Sequence, residues 1–245
     1  MTLNQYLPWL LAVVAVGFAS FYFFRKKHDD LPPRYTGPQP VSSEEGEHRT
    51  LSVYGDSITV LLDLSGLNAS FLNRAVAGTN FMQWMLGQVP TLLPIPEQLQ
   101  RDPSSVILSR YGMNDLLFGT PPDMFRQAVL QFIIGCRENG QVPVLSNLTK
   151  ITTPFHDEKK DRALVERKYI YDDILKSMAA QFNVHFIDVD SVFFAGPGDL
   201  EDGLHPTKDG AYAERIRVFI ATKIIELNIL PGTVEEGEPV AAAAA

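Results

Sequence analysis

Hydrophobic residues between Leu51 and Leu230 fall into short β-branched runs separated by longer segments with helical spacing. The short runs predict five strands, at Leu51–Tyr54, Phe71–Val76, Val106–Ser109, Val142–Ser146 and Val184–Val189. The clearest helical segments are Met124–Glu138, Ala163–Phe182 and Gly210–Leu227. Strands that alternate with helices predict a mostly parallel sheet covered by helices on both faces.

A second apolar pattern lies at the start of the chain. Residues 6–24 contain no charged side chain, and as a helix they would span ~28 Å, close to the ~30 Å hydrocarbon core of a bilayer. Aromatic residues at both ends of this run suit the two membrane interfaces. We therefore expect residues 1–25 to form an apolar membrane-anchor helix. A cleaved signal peptide and a soluble helix packed on the domain are the alternatives.

The residues that follow this run bear on its orientation. Arg25, Lys26 and Lys27 come directly after it, and the positive-inside rule favours a single-pass protein with a cytoplasmic domain. A periplasmic or extracellular location of the domain is the alternative. Residues 26–49 are polar and proline-rich and predict a linker, 50–230 form the folded domain, and 231–245 form a flexible acidic tail. The tail ends in five alanines that we interpret as a remnant of cloning.

Composition and charge narrow the function classes. The chain has 245 residues, of which 45% are hydrophobic and 20% charged, a balance typical of a globular protein. Its formal net charge of −8 argues against a nucleic-acid partner. Cys136 is the only cysteine, which excludes an intramolecular disulfide and a thiolate zinc site. No spacing of acidic residues suggests a metal, and we expect no cofactor.

Ligands of parallel α/β folds bind at the carboxyl ends of the strands, and the first candidate residue lies there. Gly55, Asp56 and Ser57 follow the first predicted strand, which places the Ser57 hydroxyl at a strand-to-helix turn. The Ser57 N–H would lie at a helix N-terminus, where the dipole favours a developing anion. An ordinary helix N-cap at Asp56 or Ser57 is the alternative. The flanking residues differ from Gly-x-Ser-x-Gly, which argues against the α/β-hydrolase fold.

Two further motifs follow the second and third strands. Gly78 could let a backbone N–H approach a ligand closely, although a simple turn glycine explains it as well. Asn114 carries an amide that can donate to an oxyanion. A helix cap by Asn114 or Asp115 is the alternative for that motif.

The fourth motif lies before the last helix. Asp202 precedes His205 by three residues, so its carboxylate can hold one ring nitrogen while the other accepts a proton. A turn with a surface histidine is the alternative. His156 is a rival base without an obvious orienting acid nearby, and His185 lies inside a strand pattern.

The order and strand-end positions of the four motifs resemble the SGNH (GDSL-type) hydrolase family, from Leu51 to about Leu227. The resemblance implies that Ser57 is the nucleophile, that Asp202 and His205 complete a catalytic triad, and that the Gly78 N–H and the Asn114 amide join the Ser57 N–H in the oxyanion hole. It also implies a three-layer α/β/α sandwich with a central five-stranded parallel sheet, flavodoxin-like in its layout. The N-terminal apolar helix is no part of the family pattern.

From this resemblance we expect a serine esterase that acts on short-chain carboxylic esters, including O-acetyl groups on carbohydrate. Longer acyl chains at the membrane, as for a lysophospholipase or thioesterase, are an alternative, as are acyl transfer to another alcohol and a membrane-tethered binding module without activity. The expected partners are a small-molecule, glycan or lipid ester, and the membrane through the N-terminal helix. Residues expected to contact the substrate are Phe81, Tyr111, Leu116, Leu117, Phe118, Thr153 and Phe155.

Overall fold

The computed structural model describes residues 50–65, 67 and 69–230. The predicted anchor (1–25), linker (26–49) and tail (231–245) lie outside these residues. Within the described ranges, no helix is both long and apolar enough to cross a membrane.

Five strands and seven α-helices make up the described fold. The strands are β1 (Thr50–Gly55), β2 (Ser70–Asn73), β3 (Val106–Arg110), β4 (Val142–Ser146) and β5 (His185–Ile187). The helices are α1 (Ser57–Val60), α2 (Phe81–Met85), α3 (Ile95–Arg101), α4 (Met113–Phe118), α5 (Pro122–Glu138), α6 (Glu158–Gln181) and α7 (Ala211–Glu226). Two 3-10 turns, Val189–Ser191 and Pro197–Asp199, lie between β5 and α7.

All five strands are parallel and form one sheet in the order β2-β1-β3-β4-β5. β1 is therefore flanked on both sides, by β2 and β3. The carboxyl ends of the strands lie along one edge, so the loops that leave β1, β2 and β3 are neighbours there. The predicted five-stranded parallel sheet is confirmed.

Alternate residues of the central strands supply two separate cores. Val106 and Leu108 of β3 belong to one apolar cluster, whereas Ile107 between them belongs to the other. Side chains of successive strand residues point to opposite faces of a sheet, which explains this division. The two cores show that helices cover both faces, and the predicted three-layer α/β/α sandwich is confirmed.

The long helices each bury one stripe. On one face, α7 buries Tyr212, Ile216, Ile220 and Ile224 at steps of four residues. On the other face, α5 and α6 bury the residues Phe125, Ala128, Val129, Phe132, Ile133, Cys136, Leu164, Tyr171, Ile174, Leu175, Met178 and Ala179. These apolar stripes hold the helices against the sheet. The positions of the helices in turn set the positions of the loops at the carboxyl edge of the sheet.

Two strands are shorter than the hydrophobic pattern predicts. β2 ends at Asn73 and not at Val76, because the Asn73 side chain donates to the carbonyls of Thr59 (3.1 Å) and Leu62 (3.0 Å) and accepts the N–H of Ala75 (3.0 Å). β5 ends at Ile187, since a 3-10 turn begins at Val189. Side-chain bonds and turns of this kind leave no trace in hydrophobic spacing.

Candidate active site

The β1–α1 turn presents Ser57 at the carboxyl edge of the sheet. Ser57 is the first residue of α1, and the side chain of Asp56 accepts the N–H of Ile58 as an N-cap (3.1 Å). The predicted cap is thus made by Asp56, which leaves the hydroxyl of Ser57 available for another partner.

That partner is His205. The Ser57 Oγ lies 2.8 Å from His205 Nε2, and His205 Nδ1 lies 2.7 Å from Asp202 Oδ2. With its proton on Nδ1, the ring donates to Asp202 and presents Nε2 as an acceptor for the Ser57 hydroxyl. The structure therefore brings the three residues together in a continuous hydrogen-bonded chain, which we call the Ser–His–Asp relay.

Hydrogen bonds within one loop hold Asp202 and His205 in place relative to each other. The second carboxylate oxygen of Asp202 accepts the backbone N–H groups of Leu204 (3.0 Å) and His205 (2.8 Å). The Glu201 N–H in turn donates to the His205 carbonyl (2.8 Å). Desolvation raises the pKa of Asp202, but these N–H groups and the His205 ring outweigh it, so the pKa lies below its ordinary value. Asp202 is therefore held as a carboxylate that orients the imidazole.

A backbone contact between two loops sets the position of the relay loop. Gly203 has a φ of +82°, and a Cβ there would lie 2.7 Å from the backbone nitrogen of Pro154. The Gly203 carbonyl also accepts the N–H of Thr152 at 2.9 Å. Only glycine fits both the left-handed backbone and this close approach. The loop after β4 thus packs against Gly203, the residue that follows Asp202 and precedes His205 by two positions.

The Asn114 side chain reaches the segment that contains Gly78. The Asn114 side-chain amide donates to the Thr79 carbonyl at 2.8 Å, which places it beside the residue that follows Gly78. The Val76 N–H bonds to the Gly55 carbonyl at 2.9 Å, so the same segment lies against the end of β1. One N–H of the Asn114 amide is used in this bond, and its second N–H is free of that role.

Two buried ionisable side chains lie at the β1–α1 turn and at the end of β3. Asp56 and Arg110 are 1% and 7% exposed, and they line a cavity of about 10 Å³ together with Ile58, Met113, Asn147, Leu148 and Thr149. Burial raises the pKa of Asp56 to about 6, although the charge of Arg110 opposes this rise. Burial likewise lowers the pKa of Arg110 to about 10, and Asp56 opposes that fall. A carboxylate and a guanidinium of opposite charge therefore lie close to the turn that carries Ser57.

The residues expected to contact substrate divide into two groups. Phe81, Tyr111 and Leu116 are almost fully buried in the core, where the rings of Phe81 and Tyr111 stack 5.2 Å apart. Phe118 and Phe155 are 63% and 46% exposed. Thr153 is exposed as well, and Leu117 is half-buried. The exposed members are the ones that offer surface to a ligand.

The other candidate base takes no part in this hydrogen-bonded chain. His156 is exposed on the loop after β4, with a φ of +50°, and its backbone N–H bonds to Thr153. His185 lies on β5, where burial lowers its pKa. Within the described part of the chain, no group of three or more His, Cys, Asp or Glu side chains is arranged to hold a metal ion.

Sequence reasoning did not single out Arg110 or the loop contact at Thr152. Arg110 is the last residue of β3, whose other residues are apolar or small. A charged residue at the carboxyl end of a buried strand was the signal in the sequence that could have indicated a role at the site. The pairing of Thr152 with Gly203 joins residues 51 positions apart and has no counterpart in local sequence.

A parallel α/β sandwich with a Ser–His–Asp chain at the carboxyl edge of its sheet defines a serine-hydrolase class of enzyme. The GDSL-like Lipase/Acylhydrolase family matches residues 53–213, which is more than half of the chain. The protein therefore belongs to this family, and it is an enzyme of the SGNH hydrolase type. The resemblance drawn from the four sequence motifs is confirmed.

Solved structures share this fold at low sequence identity. A GDSL-like lipase from Bacteroides thetaiotaomicron has a TM-score of 0.59 and 15% identity, covering 86% of this chain and 99% of that one. A lipase/acylhydrolase from Enterococcus faecalis has a TM-score of 0.58 and 19% identity, covering 73% and 96%. A psychrotrophic esterase from Pseudoalteromonas sp., inhibited by monoethylphosphonate, has a TM-score of 0.55 and 16% identity, covering 73% and 98%. No curated protein matches this chain.

Proposed function

We propose that the protein is a serine esterase that hydrolyses short-chain carboxylic esters through an acyl-enzyme on Ser57. The observation that carries the proposal is the Ser–His–Asp relay, with 2.8 Å from Ser57 to His205 and 2.7 Å from His205 to Asp202. These are hydrogen-bond distances for a nucleophile, a base and an orienting acid.

In the proposed mechanism, Ser57 Oγ attacks the ester carbonyl while its proton passes to His205 Nε2. Asp202 accepts the Nδ1–H and stabilises the imidazolium that forms. Collapse of the tetrahedral intermediate expels the alcohol, which takes the proton from His205. Water then attacks the acyl-enzyme with the same base, and the carboxylic acid leaves.

The oxyanion of each tetrahedral intermediate would accept three N–H donors. These are the backbone N–H groups of Ser57 and Gly78 and the second N–H of the Asn114 amide. The bond from Asn114 to the Thr79 carbonyl supports this assignment, because it fixes the amide plane beside Gly78. Donors held in place before the reaction begins need no reorganisation when the charge develops.

The exposure of the relay favours a small acyl group. The side chains of His205 and Asp202 are 32% and 53% exposed, so the site opens directly to solvent. An acyl chain of many carbons gains most from a deep apolar channel, whereas an acetyl group needs little enclosure. The exposed Phe155 and Thr153 suit stacking and hydrogen bonding against a sugar ring, which fits O-acetyl groups on carbohydrate.

The test is hydrolysis of p-nitrophenyl esters from two to sixteen carbons by the full chain. We expect kcat/KM to be highest at two to four carbons, and Ser57→Ala to abolish turnover at every length. A maximum at long chains would replace the short-chain proposal with a lysophospholipase or thioesterase. A folded wild-type protein that neither turns over esters nor reacts with a fluorophosphonate probe would indicate a binding module.

We also propose that residues 1–25 tether the enzyme to a membrane, with its domain in the cytoplasm. The uncharged run of residues 6–24 and the basic residues Arg25, Lys26 and Lys27 support this placement. Membrane fractions of cells expressing the full chain and a variant lacking residues 1–25 provide the test. Full-length protein that stays in the soluble fraction after high-speed centrifugation would contradict the tether.

A further inference from the structure

Gly78 lies in a turn that is closed by bonds of the residues on either side of it. Gly78 has a φ of +76°, and no atom lies within 4 Å of the position that a Cβ would take. The Thr79 N–H lies 3.4 Å from the Val76 carbonyl, and the Thr79 hydroxyl donates to the same carbonyl at 2.6 Å. Upstream, the Val76 N–H is bonded to Gly55, so Gly78 lies between that bond and the start of α2. The position of the Gly78 N–H therefore depends on this local turn and also on what anchors the downstream end of the segment, at the start of α2.

Asp115 is that downstream anchor. Its carboxylate accepts the N–H of Phe81 at 2.8 Å and the N–H of Met82 at 3.2 Å, both in the first turn of α2. Asp115 is fully buried, so it has no access to a substrate. It acts on residues more than thirty positions away in sequence, which makes it a tertiary tether and not a local cap of its own helix.

Asp115 and Asn114 are consecutive residues in the first turn of α4. Asn114 holds the Thr79 carbonyl, and Asp115 holds the N–H groups two and three residues further along. Two neighbouring side chains of one helical turn are thus hydrogen-bonded to the segment that follows Gly78. The amide that would donate to the oxyanion and the backbone donor beside it are set by the same element.

We propose that Asp115 is a positioning residue, which fixes the Gly78 N–H for the oxyanion by anchoring the first turn of α2. This inference rests on the proposed function, since it concerns the oxyanion hole of that same site.

The chemistry of this position favours a carboxylate. The first N–H groups of a helix lack intrahelical partners, and a carboxylate offers two acceptor oxygens for the pair at Phe81 and Met82. An asparagine amide offers one oxygen and would turn an N–H₂ group toward an N–H donor. Burial raises the pKa of Asp115 to about 6, and the bonds from Phe81 and Met82 act against that rise. The two bonds thus favour the charged form of this buried carboxylate.

The same helix turn carries a second cap that supplies a matched control. Asn80 accepts the N–H of Gln83 at 2.7 Å, and the Gln83 side chain accepts the N–H of Asn80 at 3.0 Å. Gln83→Ala removes half of this capping box but leaves both bonds to Asp115 in place. It therefore weakens the start of α2 without releasing the tether.

The experiment compares the full-length wild type with Asp115→Asn, Asp115→Ser, Gln83→Ala and Ser57→Ala on p-nitrophenyl acetate, with Tm measured for each. Removal of an oxyanion donor costs 10²–10³ in kcat in other serine hydrolases, and a displaced donor costs less. We expect roughly a 10–100-fold loss of kcat in the Asp115 variant with the higher Tm, with KM changed by less than about threefold. Gln83→Ala should keep kcat within about twofold of wild type, because the tether is intact.

A purely structural role for Asp115 would give a different pattern. It predicts that the Asp115 variants and Gln83→Ala lower Tm while the folded protein keeps wild-type kcat, and that result would overturn the inference. A loss confined to KM would overturn it too, since an oxyanion donor acts mainly in the transition state. Failure of the proposed function is seen separately, as a wild-type activity that Ser57→Ala does not remove.

Discussion

The proposed active site has two sides that are built in different ways. On the Ser–His–Asp relay side, Asp202 and His205 are 53% and 32% exposed in their side chains and bond to each other across three residues of one loop. On the oxyanion side, which comprises Gly78, Thr79, Asn114 and Asp115, the residues Asn114 and Asp115 are 7% and 0% exposed. Their bonds reach 33 to 35 residues along the chain.

The electrostatics of the two sides differ accordingly. On the oxyanion side, burial raises the pKa of Asp115 to about 6. In Asp202 the smaller effect of burial is outweighed by N–H donors, and the pKa is lowered. An exposed loop can thus keep its carboxylate charged with local bonds, whereas a buried turn needs partners from other elements. We therefore expect substitutions on the relay side to remove a reacting group, and substitutions on the oxyanion side to remove or displace a hydrogen-bond donor.

The largest expected effect is on the relay side. His205→Ala removes the base that contacts Ser57, so we expect kcat/KM to fall by on the order of 10⁶, as for triad members that act as a unit. His156→Ala is the control, because His156 lies on the neighbouring loop and makes no bond to Ser57. Activity toward p-nitrophenyl acetate is the measurement. The opposite ranking of the two variants would move the base to the loop after β4.

The next effect tests the oxyanion side. Asn114→Ala should lower kcat by roughly 10²–10³, or about 2.7–4 kcal/mol, with little change in KM. Asn114→Asp keeps the shape but sets a negative charge against the developing oxyanion, so we expect near-complete inactivation. Both variants lose the bond to the Thr79 carbonyl, so we expect Tm to fall in each of them. An active Asn114→Asp variant would mean that the Asn114 amide does not donate to the oxyanion.

The buried carboxylate of Asp56 should make the stability of the protein depend on pH. The pKa of Asp56 is about 6 in the folded state, above the ~3.9 of an unfolded chain, so the folded protein binds the extra proton between these values. Its contribution to stability is full below about pH 4 and is lost as pH rises through 6, by roughly 3 kcal/mol.

Asp56→Asn lacks this titration and keeps an oxygen for the Ile58 N–H. The free energy of unfolding, measured by urea denaturation from pH 4 to 7, should therefore fall more steeply with pH in the wild type than in the variant. Parallel curves for the two proteins would show that burial does not shift this carboxylate.

The smallest expected effect concerns the support of the relay loop. Gly203→Ala places a Cβ against the Pro154 backbone and forces a non-glycine residue to φ +82°, a strain of about 1–3 kcal/mol. We expect kcat to fall roughly tenfold as His205 moves with the loop. Gly198→Ala is the matched control, since a Cβ there meets nothing within 4 Å. Equal activity of the two variants would show that the relay does not depend on this contact.

Much of the fold could be predicted from the sequence, because periodicity records which face of an element is buried. The five strands and the three long helices were found at the right places, and the stripe of Ile216, Ile220 and Ile224 does pack on the sheet. A helix was expected to begin at Ser57, where α1 does begin, but the bounds of the short helices α1 to α4 were not predicted, since four to seven residues are too few to show a helical period.

The sequence by itself also determined which residues stand at the carboxyl edge, and it identified the family. The spacing of Asp202 and His205 is a local feature, so the bond between them follows from three residues of sequence. The family resemblance implied that Ser57 meets a histidine 148 positions away, whereas tertiary structure alone decided that Asn114 holds the Thr79 carbonyl and that Asp115 holds the start of α2. The physical reason is that the geometry of such bonds is set by the packing of helices on a parallel sheet, which no local pattern encodes.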